Sequence, residues 1–409
     1  MREQHDVVVI GGGQAGLAMS SVLQRRGREH IVLERHRIGE RWRSERWDSL
    51  RFQFPNWTLQ LPGYRYQGND PEGFAHYSEI LRVVAEYAAN MAAPVLEQSQ
   101  VLSLSVHSSG EGFEVALAEG PLHARRVVVA TGPFQRPHIP QFAPEVSPSA
   151  LQIDAARYRS PEGLPPGSVL VVGSGASGCQ IADELLHAGR RVYLSVSRHR
   201  RAPRRFRGKD VYWWLEVLGR FAQTIDTFPG RQYPPSTVVT GVNGGYDVDV
   251  RRLAANGVQV IGRIIGAAGT SLGVQANANH VLDEADKAYA GFLAAAREYI
   301  SSNEIEEQLA PEEPEDPIHP SALEEVDSLD LAREGINTII WATGHRYDFG
   351  WIKIPVFDDR GQPMQQRGVT PVPGLYFLGL HWMHTFKSGL FSGVGADAEF
   401  LADHIAWDQ

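Results

Sequence analysis

Gly11-Gly12-Gly13-Gln14-Ala15-Gly16 and, far down the chain, Gly173-Ser174-Gly175-Ala176-Ser177-Gly178 are the stretches whose reading decides the fold. Each fits G-x-G-x-x-G directly behind a short valine-rich run, over residues 7–10 and 169–172, and each is followed by a helix-prone segment. That is the strand–turn–helix setting in which the pattern binds a dinucleotide. The first glycine (Gly11, Gly173) permits the sharp turn, and the second (Gly13, Gly175) lets backbone approach a pyrophosphate. The third (Gly16, Gly178) lets helix lie close on strand, so that the helix N-terminus is aimed at the phosphates. One such loop is weak evidence. Two in one chain call for two dinucleotides, and a protein that holds two passes electrons between them.

Outward from the first loop, a helix over residues 14–26 ends at Gly27, and a strand over 30–33 delivers Glu34. An acid roughly 20 residues past the loop is placed to accept hydrogen bonds from an adenosine ribose, which favours FAD or NAD. Gly39-Glu40-Arg41-Trp42 comes next; Trp42 is placed to cover an isoalloxazine ring, with Arg41 beside it, although a core aromatic is the plainer reading of Trp42. The second unit repeats the plan with a helix over 178–188, Gly189, and a strand over 191–196. That strand ends in Ser197-Arg198-His199-Arg200-Arg201, where NAD would require an acid. A ribose 2'-phosphate needs cations and hydroxyl donors, and Ser197 with Arg198 supplies both, so this loop, with Ser177 on its first helical turn, is assigned NADPH. The competing reading of the arginines is a solvated surface run. Cys179 is read as a small structural residue.

Two buried-strand runs, 127–129 and 338–341, end in the same triplet, Ala130-Thr131-Gly132 and Ala342-Thr343-Gly344, each marking a return of the chain to a nucleotide-binding sheet. The expected fold is α/β with two Rossmann-like dinucleotide-binding domains, the NADPH domain inserted into the FAD domain. The expected spans are 1–138 for the first part of the FAD domain, 139–333 for the NADPH domain with a substrate region, and 334–409 for the return and C-terminal helix. Proline-rich stretches, 133–148 and 161–166, mark the seams.

Composition agrees. The chain has 409 residues, more than one hydrophobic core usually serves, and its 43% apolar and 21% charged residues are ordinary for a globular protein. A net charge of −9 gives no general attraction to nucleic acid or anionic lipid. The single cysteine, Cys179, excludes an internal disulfide and a C-x-x-C pair, which fits a reducing compartment. No charged-then-apolar leader and no membrane-length apolar stretch is visible, so the expected location is the cytoplasm. No histidine pair has the spacing of a metal site, and no serine or cysteine nucleophile has defensible partners.

These residues together resemble the class B flavin-dependent monooxygenases, the family of flavin-containing and YUCCA-type monooxygenases and of Baeyer–Villiger enzymes. The resemblance covers nearly the whole chain. It is carried by the two glycine loops, the first triplet with Pro137 and Pro140, the second with His345, Gly374-Leu375-Tyr376-Phe377-Leu378-Gly379, and Arg204-Arg205-Phe206-Arg207-Gly208-Lys209-Asp210 before Trp213-Trp214. The resemblance implies that Arg207 and Lys209 lie near bound NADPH, that NADPH reduces FAD, and that oxygen adds to the flavin C4a atom. The resulting hydroperoxide then gives one oxygen atom to a small organic substrate with a soft nitrogen or sulfur, or an activated carbon. It further implies a polar amide that holds the hydroperoxide, for which Gln53 is the candidate and Asn56 its competitor; Asn56 also reads as a turn residue after Pro55. At the C-terminal end, Gly389, Leu390 and Phe391 precede a helix whose N-terminus would stabilise reduced flavin. His381, Trp382, His384 and Phe386 are candidates to line the substrate channel.

The chain departs from the family where F-x-G-x-x-x-H-S-x-x-Y/F is expected. Residues 150–158 keep only the aromatic end, Tyr158, and Asp154 replaces the histidine, in what the family uses as an interdomain linker. That argues against a typical Baeyer–Villiger enzyme. It also supports an alternative, an NAD(P)H-dependent flavoprotein reductase that passes electrons to another acceptor. A third reading, a nucleotide-binding module without activity, is opposed by the intact glycines of both loops. Residues 219–308 and 57–73 are expected to carry substrate selectivity, with a turn at Asn243-Gly244-Gly245, a strand over 258–261, a helix over 283–300 and an exposed acidic loop over 310–320. The sequence names no substrate, and a homodimer is compatible with it.

Overall fold

The run Val7-Val8-Val9-Ile10 has no polar face, and such a strand is stable only where other elements cover both its sides. The computed structural model, which describes residues 4–227, 237–313 and 322–407, puts it there. Strand Gln4–Ile10 lies in parallel register between His30–Leu33 and Gly120–Val129, with Val7, Val8 and Val9 fully buried. Val95–Leu96 extends the sheet on one side, and Leu375–Phe377 adds a parallel strand along the last residues of Gly120–Val129. The antiparallel pair Ser103–Val106 and Phe113–Leu117 forms the other edge. Helices Gln14–Arg25 and Phe391–Trp407 lie together on this sheet, joined at their surface by Arg26 and Glu399 at 2.9 Å.

The second sheet is wholly parallel, in the order Leu151–Asp154, Ile336–Trp341, Ser168–Val172, Val192–Ser195, Gln259–Ile261. One face is covered by helix Ala176–His187. The other carries a small antiparallel sheet of Ile264–Ala268, Ser271–Val274 and Ser328–Asp330, whose Leu272 and Leu329 bury against Leu170 and Trp341. The expected α/β class with two dinucleotide-binding sheets therefore holds. The turn at Asn243-Gly244-Gly245 joins the antiparallel Val239–Thr240 and Tyr246–Asp247. The expected helix is longer than its pattern, Ala278–Ser302, and the strand is Gln259–Ile261. Of the acidic loop only residues 310–313 fall among the described ones.

Two expectations need correction. The run ending at Ala342-Thr343-Gly344 does not return the chain to the first sheet: Ile336–Trp341 pairs with Ser168–Val172 on one side and Leu151–Asp154 on the other, inside the second. The first domain instead recovers the chain at Leu375–Phe377. The crossing itself is visible as an antiparallel ribbon in which Arg136–Pro137 pairs with His345–Arg346, beside the expected outward seam at 138 and past the expected return at 334. The second correction concerns Asp154, which ends an edge strand of the second sheet opposite Trp341 and accepts from the Ala156 amide at 2.9 Å. It is a local turn residue of that domain, not a free linker. Tyr158, fully buried, donates to Glu184 at 2.9 Å, and Ser49 of the first domain donates to the same carboxylate at 2.6 Å.

Candidate functional site

Both glycine loops have the same construction. A Cβ on Gly11 would stand 2.5 Å from the Ala130 carbonyl oxygen, and one on Gly16 only 1.8 Å from the Gly11 oxygen. In the second unit Gly173 meets the Ala342 oxygen at 2.5 Å and Gly178 the Gly173 oxygen at 1.9 Å. Each Ala-Thr-Gly triplet thus ends the strand that presses on its own loop's first glycine. Gly13 and Gly175 differ in kind, because no protein atom lies within 4 Å of where their Cβ would be. Their backbone is bare toward open space, which is the cradle a pyrophosphate requires.

The helix ends agree. Helices starting at Val211 and Val250 are capped by Asp210 and Asp249, which accept from the Tyr212 and Arg251 amides, whereas Gly13 and Gly175 leave the first turns behind them without a side-chain cap. Uncapped amides at a helix N-terminus are an anion site.

Beside the first loop is a cavity of about 570 Å³ lined by Gly11, Gly13, Glu34, Arg41, Trp42, Thr131, Gly132 and Gly389 among others, so these predicted residues are brought together. Glu34 accepts from the Gly12 amide at 2.7 Å and the His36 amide at 2.9 Å, which holds its carboxylate at the rim. The Arg46 guanidinium lies 4.7 Å over the Trp42 ring, and burial pushes it down to about 10 against the opposing pull of Glu45. Burial also lowers Arg41, whose Nη2 donates to the Gln135 carbonyl at 3.0 Å. These enclosed cations suit a pyrophosphate or a reduced flavin. Phe391 is outside the cavity lining but supports its wall, with its ring 6.5 Å from Trp42 and 5.9 Å from Phe52. Leu390, between it and Gly389, is half-buried at the start of the last helix and does not line the cavity.

Sequence reasoning passed over two glutamines. Gln14 donates to the Gly389 carbonyl at 2.7 Å and ties the first loop to the C-terminal segment. Gln135 donates to Thr131 Oγ1 at 3.0 Å and to the Gly132 carbonyl at 2.9 Å, and accepts from the Asp348 amide at 2.6 Å. Only the position of Gln135, three residues past the triplet, hinted at this. On the cavity wall Phe134, 42% exposed, lies between His345 and His381 with each ring 5.2 Å away. Both imidazoles are held down to about 4, His345 by burial and then by Arg41 and Arg46, His381 by burial, so they are neutral at physiological pH.

At the second loop, Gly173, Gly175, Ser177 and Gly178 surround the N-terminus of helix Ala176–His187, and Ser197 and Arg198 are exposed just past strand Val192–Ser195. Ala342 and Thr343 close the site from the neighbouring strand; Thr343 donates to the His138 carbonyl, and Gly344 starts the crossing.

Four predicted residues are elsewhere. Gln53 uses both amide protons on the protein, donating to Tyr212 Oη at 2.6 Å and the Thr237 carbonyl at 3.0 Å, and it does not line the cavity. Asn56 is a buried turn residue that donates to the Asp70 carbonyl at 2.9 Å and accepts from the Ala75 amide at 2.8 Å. A free amide for a peroxide oxygen is therefore absent at both, because the loop needs them to satisfy its own backbone and to meet the second domain. Arg207, at the left-handed turn of the hairpin Arg205–Phe206/Lys209–Asp210, pairs with Glu306 at 2.7 Å, and the Lys209 ammonium lies 5.5 Å over the Trp213 ring. Both are engaged away from the glycine loop, Arg207 by the segment that follows the long helix and Lys209 by the short helix that follows its own hairpin. Cys179 is buried with its thiol pushed up by burial, as a structural residue should be. Among the described residues no His, Cys, Asp or Glu cluster could hold a metal, and no helix is long and apolar enough to cross a membrane.

The comparisons with known proteins agree with this geometry. The sequence profile of the pyridine nucleotide-disulphide oxidoreductase family matches residues 8–225. An uncharacterized CzcO-like oxidoreductase of Geobacillus kaustophilus is 36% identical over 98% of both chains. A probable indole-3-pyruvate monooxygenase, YUCCA1 of Arabidopsis thaliana, is 29% identical over 47% of each. Among solved structures, a flavin-containing monooxygenase from Stenotrophomonas maltophilia superposes with a TM-score of 0.68 at 21% identity, over 99% of both chains. The resemblance read from the motifs is thereby borne out: the chain is an oxidoreductase that belongs to the pyridine nucleotide-disulphide oxidoreductase family and shares its fold with a flavin-containing monooxygenase.

Proposed function

We propose that this protein is an NADPH-dependent FAD monooxygenase that transfers one oxygen atom from O2 to a small organic substrate with a soft heteroatom or an activated carbon. The observation that carries the reading is the doubled loop with opposite ribose-side chemistry: Glu34 beside the first cradle and Ser197 with Arg198 beside the second. Bound FAD, reduced by NADPH, supplies the oxygen chemistry; the chain's residues bind, orient and shield.

In this reading the uncapped amides behind Gly13 hold the FAD pyrophosphate and Glu34 accepts from the ribose hydroxyls. Trp42, on the cavity wall, would cover the ring system, and the N-terminus of helix Phe391–Trp407 would favour negative charge on it. The amides behind Gly175 hold the NADPH pyrophosphate, and Arg198 pairs with the 2'-phosphate. Neutral His345 and His381 flank Phe134 without adding positive charge at the mouth.

The engaged amides of Gln53 and Asn56 favour a second reading, a reductase that hands electrons to another acceptor. A dithiol route within this chain is excluded by its one buried cysteine. Rapid mixing of the NADPH-reduced, FAD-loaded protein with oxygenated buffer separates the two. A slowly decaying band of the C4a-hydroperoxide type is the expected result. Immediate reoxidation with release of hydrogen peroxide overturns oxygen transfer in favour of the reductase.

A further inference from the structure

The hairpin Gln60–Leu61/Tyr64–Arg65 lies against the first turns of the last helix, and the two enclose a second cavity of about 510 Å³. It falls in the stretch 57–73 that the sequence marks for selectivity, and it shares no lining residue with the cavity beside the first glycine loop. Both walls are fastened. The hairpin turn is held through the Pro62 carbonyl, which accepts from Tyr87 Oη at 2.7 Å and from Ser21 Oγ at 3.2 Å. On the other side Phe391, Ser392, Gly395, Ala396 and Glu399 recur at the spacing of one helix face, and a Cβ on Gly395 would stand only 3.3 Å from Pro62. Hairpin and helix therefore touch where the helix has no side chain, and the cavity opens beside that contact.

Phe391 is the partition between the two cavities. It is buried and lines this one, while its ring lies 6.5 Å from Trp42 on the wall of the other. Gly389, two residues earlier, lines that other cavity.

The charge in the second cavity is unbalanced. Its two ionised side chains are Arg65 and Glu399. Glu399 is spent on Arg25 and on Arg26, the latter at 2.9 Å. The Arg65 guanidinium has no acid, carbonyl or ring partner among the described residues, and the hydroxyls of Tyr64 and Ser392 have no hydrogen-bond partner there. One unmatched guanidinium balances one negative charge, which a carboxylate carries and a phosphate, at about 1.5 to 2, exceeds. Leu61, Pro62, Phe391 and Ala396 give the rest of the lining an apolar surface on which an alkyl chain can be buried. An ammonium on the ligand would meet no unspent acid, which sets amino acids apart from simple acids.

We propose that this cavity binds a small aliphatic monocarboxylate, its carboxylate held by Arg65 with the Tyr64 and Ser392 hydroxyls and its chain on the apolar wall, and that occupancy is felt at the flavin through the contact of Phe391 with Trp42. The site goes beyond the proposed oxygen transfer and does not depend on it.

The test is calorimetric titration of the FAD-loaded protein with hexanoate, and with hexanamide as its neutral isostere. Hexanoate is expected to bind, and hexanamide at least about tenfold more weakly. Arg65→Gln is expected to weaken hexanoate by about tenfold, and Ala396→Phe, which fills the cavity from an exposed helix position, to abolish its binding, each with the flavin content and melting temperature of the parent. The visible band of the flavin should shift along the titration with the same midpoint as the heat. Failure of hexanoate to bind, equal binding of acid and amide, inorganic phosphate binding as tightly as hexanoate, or binding that survives Arg65→Gln each overturns the site. If Ala396→Phe lowers the melting temperature, Arg65→Gln decides alone, because the guanidinium it removes holds no part of the fold. Binding without a band shift overturns the link through Phe391. No readout involves oxygen, so immediate flavin reoxidation would sink the monooxygenase reading and leave this site standing.

Discussion

The two nucleotide units of this chain share a backbone and differ in charge. In each, the third glycine rests on the first, the first rests on the alanine of an Ala-Thr-Gly strand end, and the second faces open space. Around that common loop the first unit places Glu34, hydrogen-bonded to its own turn, and the second places Ser197 and Arg198, both exposed. In the proposed assignment, loop geometry provides binding of a pyrophosphate, which either dinucleotide has, while the residue at the tip of the second strand selects what hangs from the ribose. Selectivity sits in side chains that the loop does not need in order to fold.

The largest effect should come from breaking the shared geometry. Gly16→Ala puts a methyl group 1.8 Å from a backbone oxygen, and Gly178→Ala does so at 1.9 Å. Overpacking against backbone should cost about 3 kcal/mol in each case, with flavin lost from the first variant and NADPH reduction of the flavin from the second, read by thermal melting and by the flavin spectrum. Gly13→Ala has no such neighbour, so its melting temperature without ligand should stay close to the parent's while flavin retention falls. Equal destabilisation by Gly13→Ala and Gly16→Ala would mean the middle glycine is structural.

Next in size is the charge contrast. Glu34→Gln keeps the shape but loses the carboxylate, and FAD affinity should fall by about tenfold to a hundredfold, the range of a hydrogen bond to a charged group. Arg198→Ala should raise the Michaelis constant for NADPH by about tenfold and hardly touch NADH. An equal change with both nucleotides would make Arg198 a surface charge and erase the contrast between the units.

The smallest effect is one of pH. His345 and His381 are held to about 4 when folded against an ordinary value near 6.5, so between those values the unfolded chain binds more protons. Stability is then highest above about 6.5 and falls as pH drops toward about 4. Neighbouring groups strip water from part of each ring, but the rest of both side chains stays in solvent at the cleft, which screens the shift and keeps the loss small. Melting curves across that range should flatten in a His345→Asn, His381→Asn double variant; an unchanged slope would assign the loss to other groups.

The second triplet shows where sequence reading stops. Ala342-Thr343-Gly344 was legible as a strand end beside a glycine loop, because an alanine carbonyl packed on a turning glycine serves both units alike. The same likeness hides which sheet it joins, and only the pairing of Ile336–Trp341 with Ser168–Val172 shows that it belongs to the second. Gln53 and Asn56 fail for a related reason: a polar amide in a flavin-side loop reads equally as a catalytic donor or as a partner for that loop's own backbone, and here the backbone claims Asn56 while Tyr212 and the Thr237 carbonyl claim Gln53.

What the sequence determined by itself was local: two strand–glycine–helix units, the acid after the first, the arginines after the second, and a C-terminal helix entered through Gly389. These depend on backbone conformation and on charge a few residues away, both written in consecutive residues. Tertiary structure alone decided which strands share a sheet, that Arg207 is spent on Glu306, and that Arg201 is held by two acids. Those outcomes turn on which distant acids and carbonyls come within hydrogen-bonding reach, a distance of a few ångströms that only the packing of the two domains sets.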